Sequence, residues 1–104
     1  MIEEKLEYKP IPVKDLLRDL KNLSWLMTNL AFSAIIYGEK SLAEEVLELE
    51  KRVTYLEYLL IMQSSLATRN PRDAEKMVSI IKLAESIGRI SNAAADIAYT
   101  SLCY

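Results

Sequence analysis

The sequence predicts an all-α fold, an up-down-up antiparallel bundle of three helices. Apolar residues recur at alternating spacings of three and four along most of the chain, which is the period of an α-helix. Signals for helix ends divide the chain near residues 38–41 and again near 70–71. The predicted links are only a few residues long, so consecutive helices must fold back on each other as antiparallel neighbours.

The first twelve residues are expected to form a leader or linker, and residues 13–104 are expected to form one domain. A chain of 104 residues has the length of a single domain. Pro10 and Pro12 remove backbone donors and favour an extended chain. Pro12 also suits the first turn of a helix, so the leader is expected to end there.

The first helix is predicted near residues 13–37. Gly38 follows it, and glycine readily takes the left-handed conformation that commonly ends a helix. The apolar stripe of this helix comprises Val13, Leu16, Leu20, Leu23, Met27, Leu30 and Ala34. Because these residues share one side of the helix, that side is expected to face the core.

The second helix is predicted near residues 41–69. Ser41 and Glu44 have the spacing of a capping box, in which each side chain satisfies a free backbone amide. An ion pair between Glu48 and Arg52 is expected on the solvated face, because residues four apart are neighbours on a helix. The apolar stripe comprises Leu42, Val46, Leu49, Val53, Leu56 and Leu60, and most of the five glutamates Glu44, Glu45, Glu48, Glu50 and Glu57 are expected to lie on the solvated face.

The third helix is predicted near residues 71–102. Asn70 is a favourable N-cap, Pro71 suits the first helical position, and Asp73 places an acid in the first turn. Two stripes lie side by side on this helix. One holds larger residues, Leu83, Ile87, Ile90, Ala94 and Ile97, and the other holds small residues, Ala84, Gly88, Ser91, Ala95 and Ala98. Small residues let another helix approach closely, so the third helix is expected to be central.

Composition excludes several classes of function. The chain has no histidine, which excludes Ser-His-Asp and Cys-His catalysis and the Glu-x-x-His ligands of di-iron bundles. A single cysteine, Cys103, cannot form an intrachain disulfide or a zinc cluster. The net charge of −2, without a basic stripe, gives no reason to expect nucleic acid as a partner. The charged start MIEEKLEYKP is not a signal peptide, so a cytoplasmic location is expected.

The run Asn22–Gly38 does not predict a helix inserted in a membrane. It holds 17 uncharged residues, several of them Asn, Ser or Thr, whereas a membrane span needs about 20 predominantly apolar ones. A buried helix of a soluble bundle is expected instead.

A second apolar line along the first helix predicts an interface. Trp25, Phe32 and Ile36 are two residues out of step with the core stripe, which places them about 200° round the helix. Three large apolar residues on one exposed line usually mark an interface, predicted here to join two copies in a homodimer. The small-residue stripe of the third helix is an alternative contact. The other interpretation is that these residues are scattered surface hydrophobes.

Polar residues on the second and third helices are candidates for a metal site. Glu50 flanks the apolar stripe, and Asn92 and Asp96 are four residues apart, so their side-chain bases lie ~5–6 Å apart on one face. Paired oxygen donors on facing helices can hold a hard cation. The alternative is that these side chains are solvated, or hydrogen-bond across the helix interface, and bind nothing.

Two segments resemble the signature stretches of the PhoU-like family, LAEEVLELEKRVTYLEY on the second helix and ISNAAADIA on the third. The resemblance covers roughly residues 8–100 and is closest to an archaeal-type branch, in which a leader similar to YKPIPVKDLL precedes one three-helix unit. It implies a bundle that is often followed by the ligand-binding domain of TrkA-type potassium-transport regulators. It also implies acid-x-x-x-Asp motifs, which hold metal clusters in some members.

The metal motif of that family is only partly present. Glu50 matches its first acid on the second helix, and Thr54 stands where the family often has Asp. Asn92 and Asp96 match the pair on the third helix, with Asn for the commoner Asp, and Gly88 stands where many members have Glu. Fewer charged oxygens bind a cation more weakly, so at most weak divalent binding is expected, and no cofactor.

Two functions of different classes follow. The first is a non-enzymatic regulatory or adaptor module in phosphate or potassium transport, which dimerises and presents helix faces to a transporter or a TrkA-type domain. The second is a metal-binding bundle or metal-dependent hydrolase that uses Glu50, Asn92 and Asp96. The absence of histidine and the short set of carboxylates favour the first.

Overall fold

A computed structural model describes residues 11–103 as three helices joined by short turns. They are α1 (Val13–Tyr37), α2 (Lys40–Ala67) and α3 (Pro71–Cys103). Each helix packs against both of the others, which confirms the predicted all-α three-helix bundle. The described residues contain no strand. Of the predicted leader, only Ile11 and Pro12 are described, and residues 1–10 lie outside the described range.

The ends of α1 follow the chemistry of its flanking residues. The Pro12 carbonyl accepts hydrogen bonds from the amides of Asp15 and Leu16 at 2.9 and 3.1 Å. At the other end Gly38 has φ 64° and ψ 30°, the left-handed conformation expected of it. This turn lets the Glu39 amide donate to the Ala34 carbonyl at 3.1 Å.

The predicted capping box at the start of α2 is wrong. The helix begins at Lys40, one residue earlier than predicted, and Glu39 is the N-cap, without a side-chain capping bond. Ser41 therefore lies inside the first turn, where its hydroxyl donates to the Glu39 carboxylate at 3.4 Å. The ion pair predicted between Glu48 and Arg52 is replaced by one between Glu48 and Lys51 at 3.2 Å. Such exposed pairs contribute little to stability.

The cap of α3 is confirmed and is reciprocal. The Asp73 amide donates to Asn70 Oδ1 at 2.9 Å, and the Arg69 amide donates to Asp73 Oδ2 at 3.1 Å. Two backbone donors at the helix start are therefore satisfied by side chains. This cap makes the turn between α2 and α3 abrupt and folds α3 back along the bundle.

The core is built from one stripe of each helix, but α3 uses its small residues. Ala84, Gly88, Ser91, Ala95 and Ala98 are all buried. Leu83 and Ile90, from the stripe of larger residues, are half exposed at the margin. The small-residue stripe is therefore buried inside the bundle. It is not available as the alternative contact with a second copy. Fully buried larger side chains include Leu16, Leu20, Met27, Val46 and Leu60.

A buried glutamine joins the segment before α1 to α2. The Gln63 side chain is 7% exposed; it accepts a hydrogen bond from the Ile11 amide at 2.7 Å and donates to the Ile11 carbonyl. One amide group thus satisfies both backbone groups of a residue that has no helical partner. The start of α1 is thereby held beside the C-terminal half of α2.

In the part of the chain that the structure describes, every helix falls short of the length and apolar character that a membrane crossing requires. The run Asn22–Gly38 forms most of α1 and its cap. Only one side of it is buried, and the other exposes large apolar side chains. The expectation that this run forms a buried helix therefore holds only for the side of α1 that faces the core.

Replacing the α3 cap tests the account of this turn. Asn70→Ala removes the acceptor of the Asp73 amide and should lower the free energy of unfolding by about 1 kcal/mol. Asn22→Ala, at an exposed position of α1 on the flank toward α2, is the matched control and should be neutral or slightly stabilising, since alanine favours helix. Urea unfolding followed by circular dichroism measures both. Equal effects in the two variants would contradict the capping role.

Candidate functional site

The face formed by α2 and α3, here called the α2–α3 face, carries a glutamate set against a glycine. Glu57 is half-buried on α2. A Cβ added to Gly88 of α3 would lie 2.8 Å from Glu57 Oε1 and 3.0 Å from Oε2. That separation is too short for a real contact, so the missing side chain at position 88 is what makes room for the carboxylate.

The electrostatics of this pair set Glu57 apart from the solvated glutamates of α2. Burial, in the first place, and the nearby Glu85 carboxylate, in the second, raise the pKa of Glu57 above its ordinary value of 4.5. Both causes disfavour the charged form. Glu57 is therefore an exception among the glutamates of α2, most of which are expected to be solvated. This carboxyl group holds its proton more tightly than an exposed glutamate does.

The three residues predicted to bind metal share the α2–α3 face. Glu50 lies two turns before Glu57 on the same flank of α2 and is half-buried. Asn92 and Asp96 lie one and two turns beyond Gly88 on α3, and both are exposed. The Thr54 hydroxyl, which stands at the other motif position, donates to the Glu50 carbonyl at 3.1 Å.

This donor set does not fit a metal cluster of the kind that the family resemblance implies. Gly88 has no side-chain oxygen, and the Thr54 hydroxyl is hydrogen-bonded to a backbone carbonyl. The remaining donors are the carboxylates of Glu50 and Asp96 and the amide of Asn92. Within residues 11–103, no group of three His, Cys, Asp or Glu side chains is placed to hold a metal ion. Because Asn92 is not one of these residue types, weak binding by Glu50, Asn92 and Asp96 stays a prediction.

The predicted interface residues project from the bundle. Trp25, Phe32 and Ile36 are 73%, 52% and 70% exposed. Ile35, on the same flank of α1, lines a cleft with Thr100 and Ser101 of α3. Leu23 and Leu26, on the opposite flank, line one with Arg52 of α2. The exposed line therefore points outward on the side of α1 next to α3.

Helix α3 extends this apolar surface. Leu83, Ile90 and Ile97 fall on the flank of α3 that carries Ser101, the flank next to α1. The N-terminal ends of the two helices meet where Val13 lies beside Met77 and Ile80, so α1 and α3 run parallel, with Ile90 level with Trp25. We call this combined surface the α1–α3 face; its exposed large apolar residues are Trp25, Phe32, Ile35, Ile36, Leu83 and Ile90, and the partly buried Ile97 lies beside them.

Two features of these faces escaped the sequence. Glu57 is seven residues, or two helical turns, after Glu50 and so lies on the same flank of α2. This spacing was the signal in the sequence that Glu57, like Glu50, lies beside the apolar stripe. The contribution of Leu83 and Ile90 was hidden because they share a helical stripe with the buried Ile87. Their exposure depends on which stripe of α3 faces the core, and a single helix does not reveal that.

Comparison with known proteins gives one family. A model of the PhoU domain matches residues 17–100, which span nearly all of α1, all of α2 and most of α3. None of the curated protein sequences shows a significant match to the chain.

Glu57→Gln tests the cost of the buried carboxylate. Because the folded state binds the Glu57 proton more tightly than the unfolded chain, ionisation of Glu57 destabilises the fold. The loss is absent below the ordinary pKa and complete once the pH exceeds the raised one. The variant should therefore be more stable than the wild type at about pH 7 and gain nothing at about pH 4.

Urea unfolding at both pH values measures this difference, with Glu44→Gln on the exposed side of α2 as the control. A second variant, Gly88→Ala, should push the carboxylate outward, and nuclear magnetic resonance titration should then show the pKa of Glu57 shifted back toward its ordinary value. A Glu57→Gln effect that does not vary with pH would rule out this account.

Metal binding is tested by isothermal titration with Mn²⁺, Fe²⁺ and Mg²⁺. We expect weak binding without saturation, which Asp96→Ala weakens further. Two exposed donors, with Thr54 and Asn92 in place of acids, poorly offset the dehydration of a cation. Glu44→Ala is the control for general loss of negative charge. A tight, saturable site that disappears in Asp96→Ala alone would contradict the expectation and favour the metal-binding function.

Proposed function

The chain belongs to the PhoU domain family, and on that premise we propose that it is a non-enzymatic module that regulates inorganic-ion transport. Proteins with this domain are regulators linked to phosphate transport, and the family is helical and non-enzymatic. The observation that carries the proposal is the family match, which spans all three helices of the bundle.

The finer proposal concerns the ion and the partner. Phosphate is the first choice because of the family match, and potassium the second because of the resemblance to archaeal-type units that precede TrkA-type domains. The partner is then a transporter or a TrkA-type regulatory domain in the cytoplasm. Regulation by such a module requires it to bind a partner through a helix face, and the bundle offers two faces of different chemistry.

The proposed mechanism uses the α1–α3 face for dimerisation and leaves the α2–α3 face for the partner. Large apolar side chains dominate the first, and exposed patches of this kind usually mark protein interfaces. The second carries Glu57, Glu85, Asn92 and Asp96 beside the exposed Val78 and Tyr99, a more polar surface than the first and one suited to reversible contact. A homodimer would present two such polar faces to its partner.

Ion uptake in a host strain that lacks the gene tests the proposal. Loss of the module should alter the response of phosphate uptake to external phosphate, and the wild-type gene should restore it. Trp25→Glu should fail to restore the response, whereas Tyr58→Glu, a similarly exposed aromatic residue on α2, should succeed. Uptake of labelled phosphate and of rubidium, a substitute for potassium, would be measured in parallel.

The two uptake assays separate the candidate ions. A defect confined to rubidium uptake would assign the module to potassium transport. Normal uptake of both ions in the deletion strain would contradict the regulatory function. Hydrolysis of small phosphoesters by the purified protein would contradict its non-enzymatic character.

A further inference from the structure

The α1–α3 face is divided along its length into an uncharged half and a basic half. The uncharged half extends from the level of Trp25 and Ile90 toward the C-terminal ends of both helices, and the large residues that α1 and α3 contribute to it are apolar. Lys40 of α2 bounds it at that end, where its ammonium group donates to the Leu102 carbonyl at 3.3 Å. The basic half covers the N-terminal parts of the two helices. Its basic residues are Lys14, Arg18, Lys21, Arg72, Lys76 and Lys82, all of them exposed.

The positions of these charges follow from the helical period. Lys14 and Lys21 lie in the same row of α1 as Phe32, and Arg72 lies in the same row of α3 as Ile90 and Ile97. Acidic residues offset only part of this charge: Asp15 pairs with Arg18 at 2.7 Å, and the exposed Glu75 lies in the same row of α3 as Lys82. The N-terminal half of the face therefore carries a net positive charge.

We propose that the uncharged half of the α1–α3 face pairs with the same half of a second copy, with the helices of the two copies antiparallel. This inference rests on the proposed dimerisation and assigns its surface and orientation. The two-fold axis crosses α1 between Trp25 and Ile36. It lies perpendicular to the helices, so that α1 packs against α1 of the second copy.

The exposed apolar area is close to what a dimer requires. From their exposed fractions, Trp25, Phe32, Ile35, Ile36 and Ile90 together expose on the order of 600 Å² per protomer, given that a large side chain buries about 150–250 Å². Each partner of a standard interface buries about 800 Å², and small neighbours such as Thr28 and Ala93 supply part of the difference. A second copy presents the same area in complementary form, as an isologous contact requires.

Charge selects the orientation. In a parallel pair, with the axis along the helices, Lys14, Lys21 and Arg72 of one copy would face those of the other. The distance between packed helices, ~8–10 Å, is close to the Debye length of about 8 Å at physiological salt, so this repulsion is only partly screened. In the antiparallel pair the basic halves extend to opposite ends of the dimer and keep their hydration.

Antiparallel pairing also agrees with the arrangement of the other surfaces. The α2–α3 face lies on a different side of the three-helix bundle, so it stays uncovered in the dimer. The two copies of Glu57 and Gly88 are then turned outward. The dimer offers these faces to a partner while Trp25 and Phe32 are buried between the two copies.

The first measurement is the mass of the full chain by light scattering at high micromolar concentration. The wild type and Tyr58→Glu should have twice the monomer mass of 11.9 kDa, and Phe32→Glu should be a monomer. Circular dichroism confirms that each variant is folded, and Ile36→Glu repeats the test if Phe32→Glu is not. A wild-type monomer, or a Phe32→Glu dimer, would overturn the proposal.

The second measurement gives the orientation. In a Cys103→Ser background, spin labels are placed at Asn29→Cys, near the axis, or at Lys14→Cys, in the basic half. Antiparallel pairing predicts a short distance between the two Asn29 labels and ~45–50 Å between the two Lys14 labels, at 1.5 Å per residue along the helix. Pulsed electron resonance measures both distances.

Each outcome separates this inference from the function on which it rests. Similar distances at the two positions would indicate parallel pairing and overturn the orientation, while dimerisation and the uptake response would stand. Long distances at both positions would overturn the assigned surface. A monomer that binds anionic lipid vesicles through Phe32 would instead assign the face to a membrane surface.

Discussion

The close approach of α3 to its two neighbours is the constraint on which the rest of this structure depends. Ala84, Gly88, Ser91, Ala95 and Ala98 form the buried side of α3, and small side chains allow helix backbones to come near each other. Since those residues face inward, Leu83 and Ile90 beside them are turned to the margin, while Ile87 stays buried. The apolar α1–α3 face is thus a consequence of how the core is packed.

The same constraint creates the environment of Glu57. With glycine at position 88, the Glu57 carboxylate fits against the α3 backbone, where burial and Glu85 raise its pKa. An alanine there would close this space. The bundle therefore contains one carboxyl group whose ionisation opposes folding, and that group lies on the polar face proposed for partner binding. A group of this kind is tolerated because most of the stability comes from apolar burial elsewhere.

The two faces give the bundle a division of chemistry that suits a regulatory module. Apolar residues on α1 and α3 favour stable association, and polar residues on α2 and α3 favour contacts that form and dissolve readily. Membership of the PhoU domain family links the chain to the regulation of phosphate transport. The proposed dimer connects these properties, because it buries the first face and exposes two copies of the second.

The sequence by itself determined the elements. Three signals locate the helices within a few residues: the helical period of the apolar residues, the glycine at position 38 and the Asn70 cap. Each of them acts within one or two turns of a helix. The exposed line of Trp25, Phe32 and Ile36 was also readable, because it lies opposite the core stripe of a single helix. Only the tertiary structure decided which stripe of α3 is buried, where Glu57 lies, and how basic residues of α1 and α3 combine on one face. Those properties arise between helices, where distance in space, rather than spacing along one helix, sets burial and charge.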